Sequence, residues 1–67
     1  MTELDYRICK VIKIYNEEYN IDPKISDIAK VIRYSNDSTR YHLRKLIKLG
    51  LIKVEHRKYS LLINNLE

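Results

Sequence analysis

Sixty-seven residues with a net charge of +4, 45% of them hydrophobic, and a single Gly, Pro and Cys make one small domain at most, burying only about 60% of its unfolded surface. No apolar run approaches the roughly 20 residues that span a bilayer, and charges interrupt the opening MTELDYRICK, so no secretory leader is expected. The lone Cys9 cannot close an internal disulfide, which leaves an intracellular, cytoplasmic protein as the expectation.

The charge is unevenly spread: residues 1–22 sum to −2 and residues 23–67 to +6. Between Ser38 and Lys58 stand seven Lys/Arg and one acid, Glu55. A basic segment on a neutral or acidic scaffold is the footprint of a polyanion-binding surface. The competing reading is a merely solvated basic face, and residue order has to separate the two.

Thr2-Glu3-Leu4-Asp5 reads as a capping box with Thr2 as N-cap. A helix over 2–19 follows, with Leu4, Ile8, Val11, Ile12 and Tyr15 on one face. It holds most of the acids and reads as scaffold. Tyr6, Cys9 and Ile14 fall off its stripe and are candidates for a face turned toward a second subunit, where an intersubunit Cys9–Cys9 disulfide across a two-fold axis is the sharper alternative to a plain surface thiol. Asp22-Pro23 breaks this helix. Ile25, Ile28, Ala29 and Ile32 then define a short helix over 25–33, capped by Lys24 or Ser26, with Ala29 small enough to let a crossing helix approach. Only Arg33-Tyr34 separates it from Ser35, so the pair forms a helix-turn-helix unit.

The third helix, 36–49, organises the rest. Ser35 is its N-cap and Gly50 its stop. Thr39, Leu43, Leu46 and Ile47 make a buried stripe, while Ser38, Tyr41, Arg44, Lys45 and Lys48 fall on the opposite side. Small polar residues at the N-terminus of a cationic helix suit a major groove, where they reach base edges while cations meet phosphate. After Gly50 the period becomes alternating: a hairpin over 51–63, with Ile52 and Val54 inward, Lys53 and Glu55 outward, and Tyr59, Leu61 and Ile63 as the second run. His56-Arg57-Lys58 makes a basic tip without a glycine to set its turn type. Residues 64–67 read as a frayed tail.

The fold class read from this order is mainly α with a β-hairpin. With IAKVI (residues 28–32), Ser35 and STRYHLRKLIKLGLI (residues 38–52), the chain resembles the winged helix-turn-helix regulators of the multiple-antibiotic-resistance and arsenic-repressor type. Its Ile, Lys and Tyr content is similar to that of small archaeal or archaeal-virus members. The resemblance implies a recognition helix with Ser35, Asn36, Asp37, Arg40, Tyr41 and Arg44 at base-contact positions, and Lys45 and Lys48, with Arg57 and Lys58 from the wing, toward phosphates. The helix wheel adds Ser38 to the exposed face; weighed together, Asn36, Asp37, Ser38, Arg40 and Tyr41 are expected at base edges and Ser35, Arg44, Lys45, Lys48, Arg57 and Lys58 at phosphates. The resemblance further implies double-stranded DNA as partner and transcriptional regulation as function. A homodimer reading half-sites about 34 Å apart is expected on separate grounds, since so small a domain offers little base-reading surface and the first helix has Tyr6, Cys9 and Ile14 to spare. Two departures stand out. Arg33 occupies a turn position often held by glycine, and Thr39 one usually aliphatic, where its hydroxyl can bond the carbonyl one turn back.

Other chemistries fit less well. Arg40, Tyr41, His42 and Arg44 suggest a tyrosine nucleophile, but they diverge from one helical turn instead of converging on a phosphate. Cys9, His42 and His56 have no metal-ligand spacing, and no cofactor or small-molecule ligand is implied. Tyr34 and Tyr59 lack the interleaved aromatic and basic pattern of a single-strand stacking surface. The alternatives that survive are a protein-binding winged helix and a replication-initiation accessory factor, since fold alone does not fix function.

Overall fold

The computed structural model describes residues 1–63. It contains three helices, α1 (Glu3–Glu18), α2 (Ile25–Ile32) and α3 (Asn36–Lys48), then strands β1 (Ile52–Glu55) and β2 (Lys58–Leu61). This is the three-helix-plus-hairpin layout of a winged helix. The expected tail at 64–67 lies outside the described residues.

Local chemistry fixes each boundary. Thr2 Oγ1 accepts from the Asp5 amide at 3.1 Å and the Thr2 amide donates to Asp5 Oδ2 at 3.1 Å, a complete capping box. At α2 the cap is Lys24, whose amide donates to Asp27 Oδ2 at 3.0 Å. Ser35 Oγ caps α3 by accepting from the Ser38 amide at 3.1 Å. The Thr39 hydroxyl donates to the Ser35 carbonyl at 2.8 Å, so this polar residue is fully buried yet satisfied. Gly50, at φ +76°, ends α3 with bonds from its own amide to Ile47 and from the Leu51 amide to Leu46, the paired closure that a left-handed residue permits.

The helix-turn-helix turn keeps its left-handed residue although Arg33 fills the position, at φ 63° and ψ 44°. A side chain there costs roughly 1 kcal/mol relative to glycine. The matching position after α1 is Asn20 at φ 57°, a residue type that tolerates this conformation better.

The core is Ile8, Cys9, Val11, Ile12, Ile28, Ile32, Leu43, Leu46 and Ile52, drawn from all three helices and the first residue of β1. Ala29, 4% exposed, lies where α2 meets its neighbours. Cys9 corrects its expected placement: it is fully buried, because α1 is covered by α2, α3 and β2 together and its apolar arc is wider than one stripe.

β1 and β2 pair antiparallel, with Ile52 opposite Leu61 and Val54 opposite Tyr59. Val54 is a second correction. It shares a face with Ile52 but is 42% exposed, because its side chain lines an open cleft between the hairpin and the helices. Pro23 and Lys24 add a short outer rung, Tyr59 donating its amide to the Pro23 carbonyl at 2.9 Å beside a Lys24–Lys58 bridge. Asn16 of α1 clamps the other end. Its Oδ1 accepts from the Leu61 amide at 3.0 Å, and its Nδ2 donates to the Ile21 carbonyl and Asp22 Oδ1, each at 3.0 Å.

Candidate nucleic-acid interface

Burial of Thr39, Leu43 and Leu46 dictates which side of α3 meets solvent. Ser35, Asn36, Asp37, Ser38, Arg40, Tyr41, Arg44 and Lys48 are all exposed, and Tyr41 is 69% exposed. Tyr41, Arg44, Lys45 and Lys48 border one shallow groove. Arg44 and Lys48 have no ion-pair partner among the described residues, so their charge is available to a ligand.

Two members of the candidate set have partners within the helix. Arg40 Nη1 sits 2.9 Å from Asp37 Oδ1, an exposed pair of the kind that contributes at most about 1 kcal/mol and opens easily. Ser35 Oγ accepts the capping bond, which ties down its position but leaves its hydroxyl proton free to donate.

Lys45 belongs to the scaffold more than to the open face. Its Nζ lies 2.8 Å from Asp5 Oδ2, and that carboxylate is 1% exposed. His42 Nδ1 is 3.1 Å from the other oxygen, a bond that requires the proton on Nδ1. Burial alone would push the Asp5 carboxyl up, but bonds from Lys45, the Thr2 amide and His42 outweigh it and bring the pKa from 3.8 to about 2. Asp5 therefore works twice, capping α1 and tying α3 to it. From the sequence, His42 is a candidate for a catalytic cluster and for a metal ligand but not for a partner of Asp5; it lies three residues after Thr39 and four before Leu46. A polar residue at the edge of a buried stripe needs a partner, and that was the available signal.

The wing places His56, Arg57 and Lys58 in solvent. His56 and Arg57 take φ 52° and 65°, both left-handed, and Glu55 faces Lys58 as the closing pair. This is the two-residue type I′ geometry, normally occupied by Asn-Gly. Arg40 of α3 meets His56 and Arg57 across an open cleft of about 520 Å³, floored by Ile25, Val54 and Tyr59. Helix and wing thus present cations to one space.

Of the three residues expected at a subunit interface, Cys9 is withdrawn because it is buried. Burial and the nearby Asp5 charge also push its thiol pKa up, away from the reactive thiolate. Tyr6 is half-buried, with Lys10 Nζ 5.8 Å from its ring centre. Ile14 is 36% exposed and remains. Cys9, His42 and His56 stand on α1, α3 and the wing tip respectively, and no cluster of His, Cys, Asp or Glu among the described residues is arranged to hold a metal. No described helix is long and apolar enough to cross a membrane.

Neither a known family nor a curated protein matches this chain.

Proposed function

We propose that the protein is a sequence-specific double-stranded DNA-binding regulator of transcription, with α3 in a major groove and the wing on the phosphate backbone. The observation that carries this reading is the exposed cationic face of α3 running toward a cationic wing tip, with Arg40 and Arg57 on one cleft. Arg44, Lys48, Arg57 and Lys58 meet phosphate, and Asn36, Asp37, Ser38, Arg40 and Tyr41 meet base edges. Asp37 suits this division, because a carboxylate accepts from cytosine amino groups and is repelled by phosphate.

With a longest dimension of 25 Å, one copy is shorter than the ~34 Å repeat of duplex DNA and covers one half-site. Two copies acting together complete the reading. A cytoplasmic location follows from the same proposal.

The test is titration of labelled random duplex and random single strand at ~50 and ~200 mM salt. Four phosphate contacts per copy give a slope of log K on log salt of roughly −3.6, about a hundredfold loss of duplex affinity over that interval. A flat salt response, or no duplex binding at the lower salt, overturns the proposal in favour of a protein-binding winged helix.

A further inference from the structure

Opposite in character to the cationic face, α1 and α2 share an uncovered apolar strip. Ile14 is 36% exposed, Val31 50% and Tyr19 61%, and Ile14 and Val31 border two adjoining grooves between these helices. The charges around the strip are ordered. Arg7 and Lys10 lie on the N-terminal side of Ile14 and Glu18 on the C-terminal side, all exposed and with no ion-pair partner among the described residues. At about 100° per residue, all three fall within roughly 40° of Ile14 on the surface of α1.

We propose that this strip is the docking surface for a second copy of the same chain, with the two α1 helices antiparallel and Ile14 against Ile14 on the two-fold axis. The argument is self-complementarity. A two-fold contact sets each residue before Ile14 against the one equally far after it in the partner copy. Lys10 and Glu18 are each four residues, about 6 Å, from Ile14, so each lysine meets a glutamate, with Arg7 just beyond. A parallel arrangement would set like charges together. Val31 and Tyr19 extend the apolar contact toward α2. The proposal gives content to the two-copy part of the functional reading and is independent of what α3 binds.

The experiment is sedimentation velocity of the intact chain over ~5 to ~500 µM, with helicity by circular dichroism on every variant and duplex titration in parallel. Wild type shows a reversible monomer–dimer equilibrium. Ile14→Asp and, separately, Val31→Asp leave helicity intact and give monomer throughout. Glu18→Lys raises the dimer dissociation constant about tenfold by setting Lys10 against lysine twice per dimer. Combining Arg7→Glu, Lys10→Glu and Glu18→Lys reverses the three unpaired charges that flank Ile14, leaves Glu3 and Asp5 at the start of α1 and adds a cation to its last turn, and brings the dimer back. A wild-type chain that stays monomeric overturns the proposal, as does a dimer indifferent to Ile14→Asp or one that the triple reversal fails to restore. Duplex binding by a chain that never dimerises overturns this interface alone. A dimer that ignores duplex overturns the DNA reading alone.

Discussion

Asp5 and Lys45 are joined by a 2.8 Å ion pair in which the carboxylate is almost wholly buried and the ammonium half-exposed. The pair fastens the middle of α3 to the first turn of α1, and the wing is clamped to the last turn of α1 by Asn16. Both DNA-facing elements of the proposal are therefore aligned by one scaffold helix, through polar contacts instead of apolar packing alone.

Removing the Asp5 charge should destabilise the fold in a pH-dependent way. A carboxyl held at about 2 instead of 3.8 contributes about 2 kcal/mol at neutral pH. The folded pKa is depressed, so this stability is present above pH ~4 and is lost as pH falls through ~4 toward ~2. Asp5→Asn should lower the melting temperature by on the order of 10 °C at pH 7, with the gap to wild type closing below pH ~3. Melting curves from pH 2 to 7 check this. A gap that stays constant with pH would mean that the charge contributes nothing.

Lys45 and Lys48, one turn apart on α3, should separate stability from binding. Lys48 is exposed and unpaired among the described residues. Lys48→Ala should leave the melting temperature within a degree or two, weaken every duplex alike and reduce the salt slope by about 0.9. Lys45→Ala leaves the buried Asp5 carboxylate with only the Thr2 amide and His42, and losing that half-exposed partner costs about 1 to 2 kcal/mol. Its main readout is unfolding. If Lys45→Ala instead behaves like Lys48→Ala, the ion pair opens on binding and Lys45 rejoins the phosphate set.

Cys9 should be chemically silent in the folded state. The thiol is fully buried and its pKa is raised by burial, so maleimide modification requires opening of the core and its rate should follow global stability. Modification should be slow in buffer and fast in denaturant, and non-reducing mass spectra should show no disulfide-linked pair. Rapid labelling of the native protein would mean that α1 opens locally.

The contrast between Cys9 and the stripe on α3 shows where sequence reading reaches its limit. On α3 a 3–4 spacing ending at Gly50 located both the buried and the exposed face, because the helix is covered along one side and its termini carry their own caps. On α1 the same rule left Cys9 outside, because that helix is covered by three elements and its buried arc is broader. Lys45 was legible as a cation on the solvent side but not as a partner of Asp5, since 40 residues separate them and nothing local encodes their meeting. Val54 alternates correctly, yet alternation gives a face and not how far the helices extend beneath it. The turn at His56-Arg57 was the least legible, because neither residue is one that the I′ geometry selects.

That turn supplies the last prediction. Two non-glycine residues at φ 52° and 65° each give up roughly 1 kcal/mol, and the hairpin keeps them at its exposed tip. Replacing His56→Asn together with Arg57→Gly supplies the preferred I′ pair and should raise stability by about 1 kcal/mol, a gain of several degrees. On the DNA reading the same change removes a phosphate contact, so duplex affinity at ~50 mM salt should fall and the salt slope should shrink by about 0.9. Arg57→Lys separates the two effects, since it keeps both the charge and the strained conformation and should leave stability and slope unchanged. A variant that gains stability and loses no affinity would show that the wing tip does not touch the ligand. A variant that gains no stability would show that the turn is relaxed as it stands.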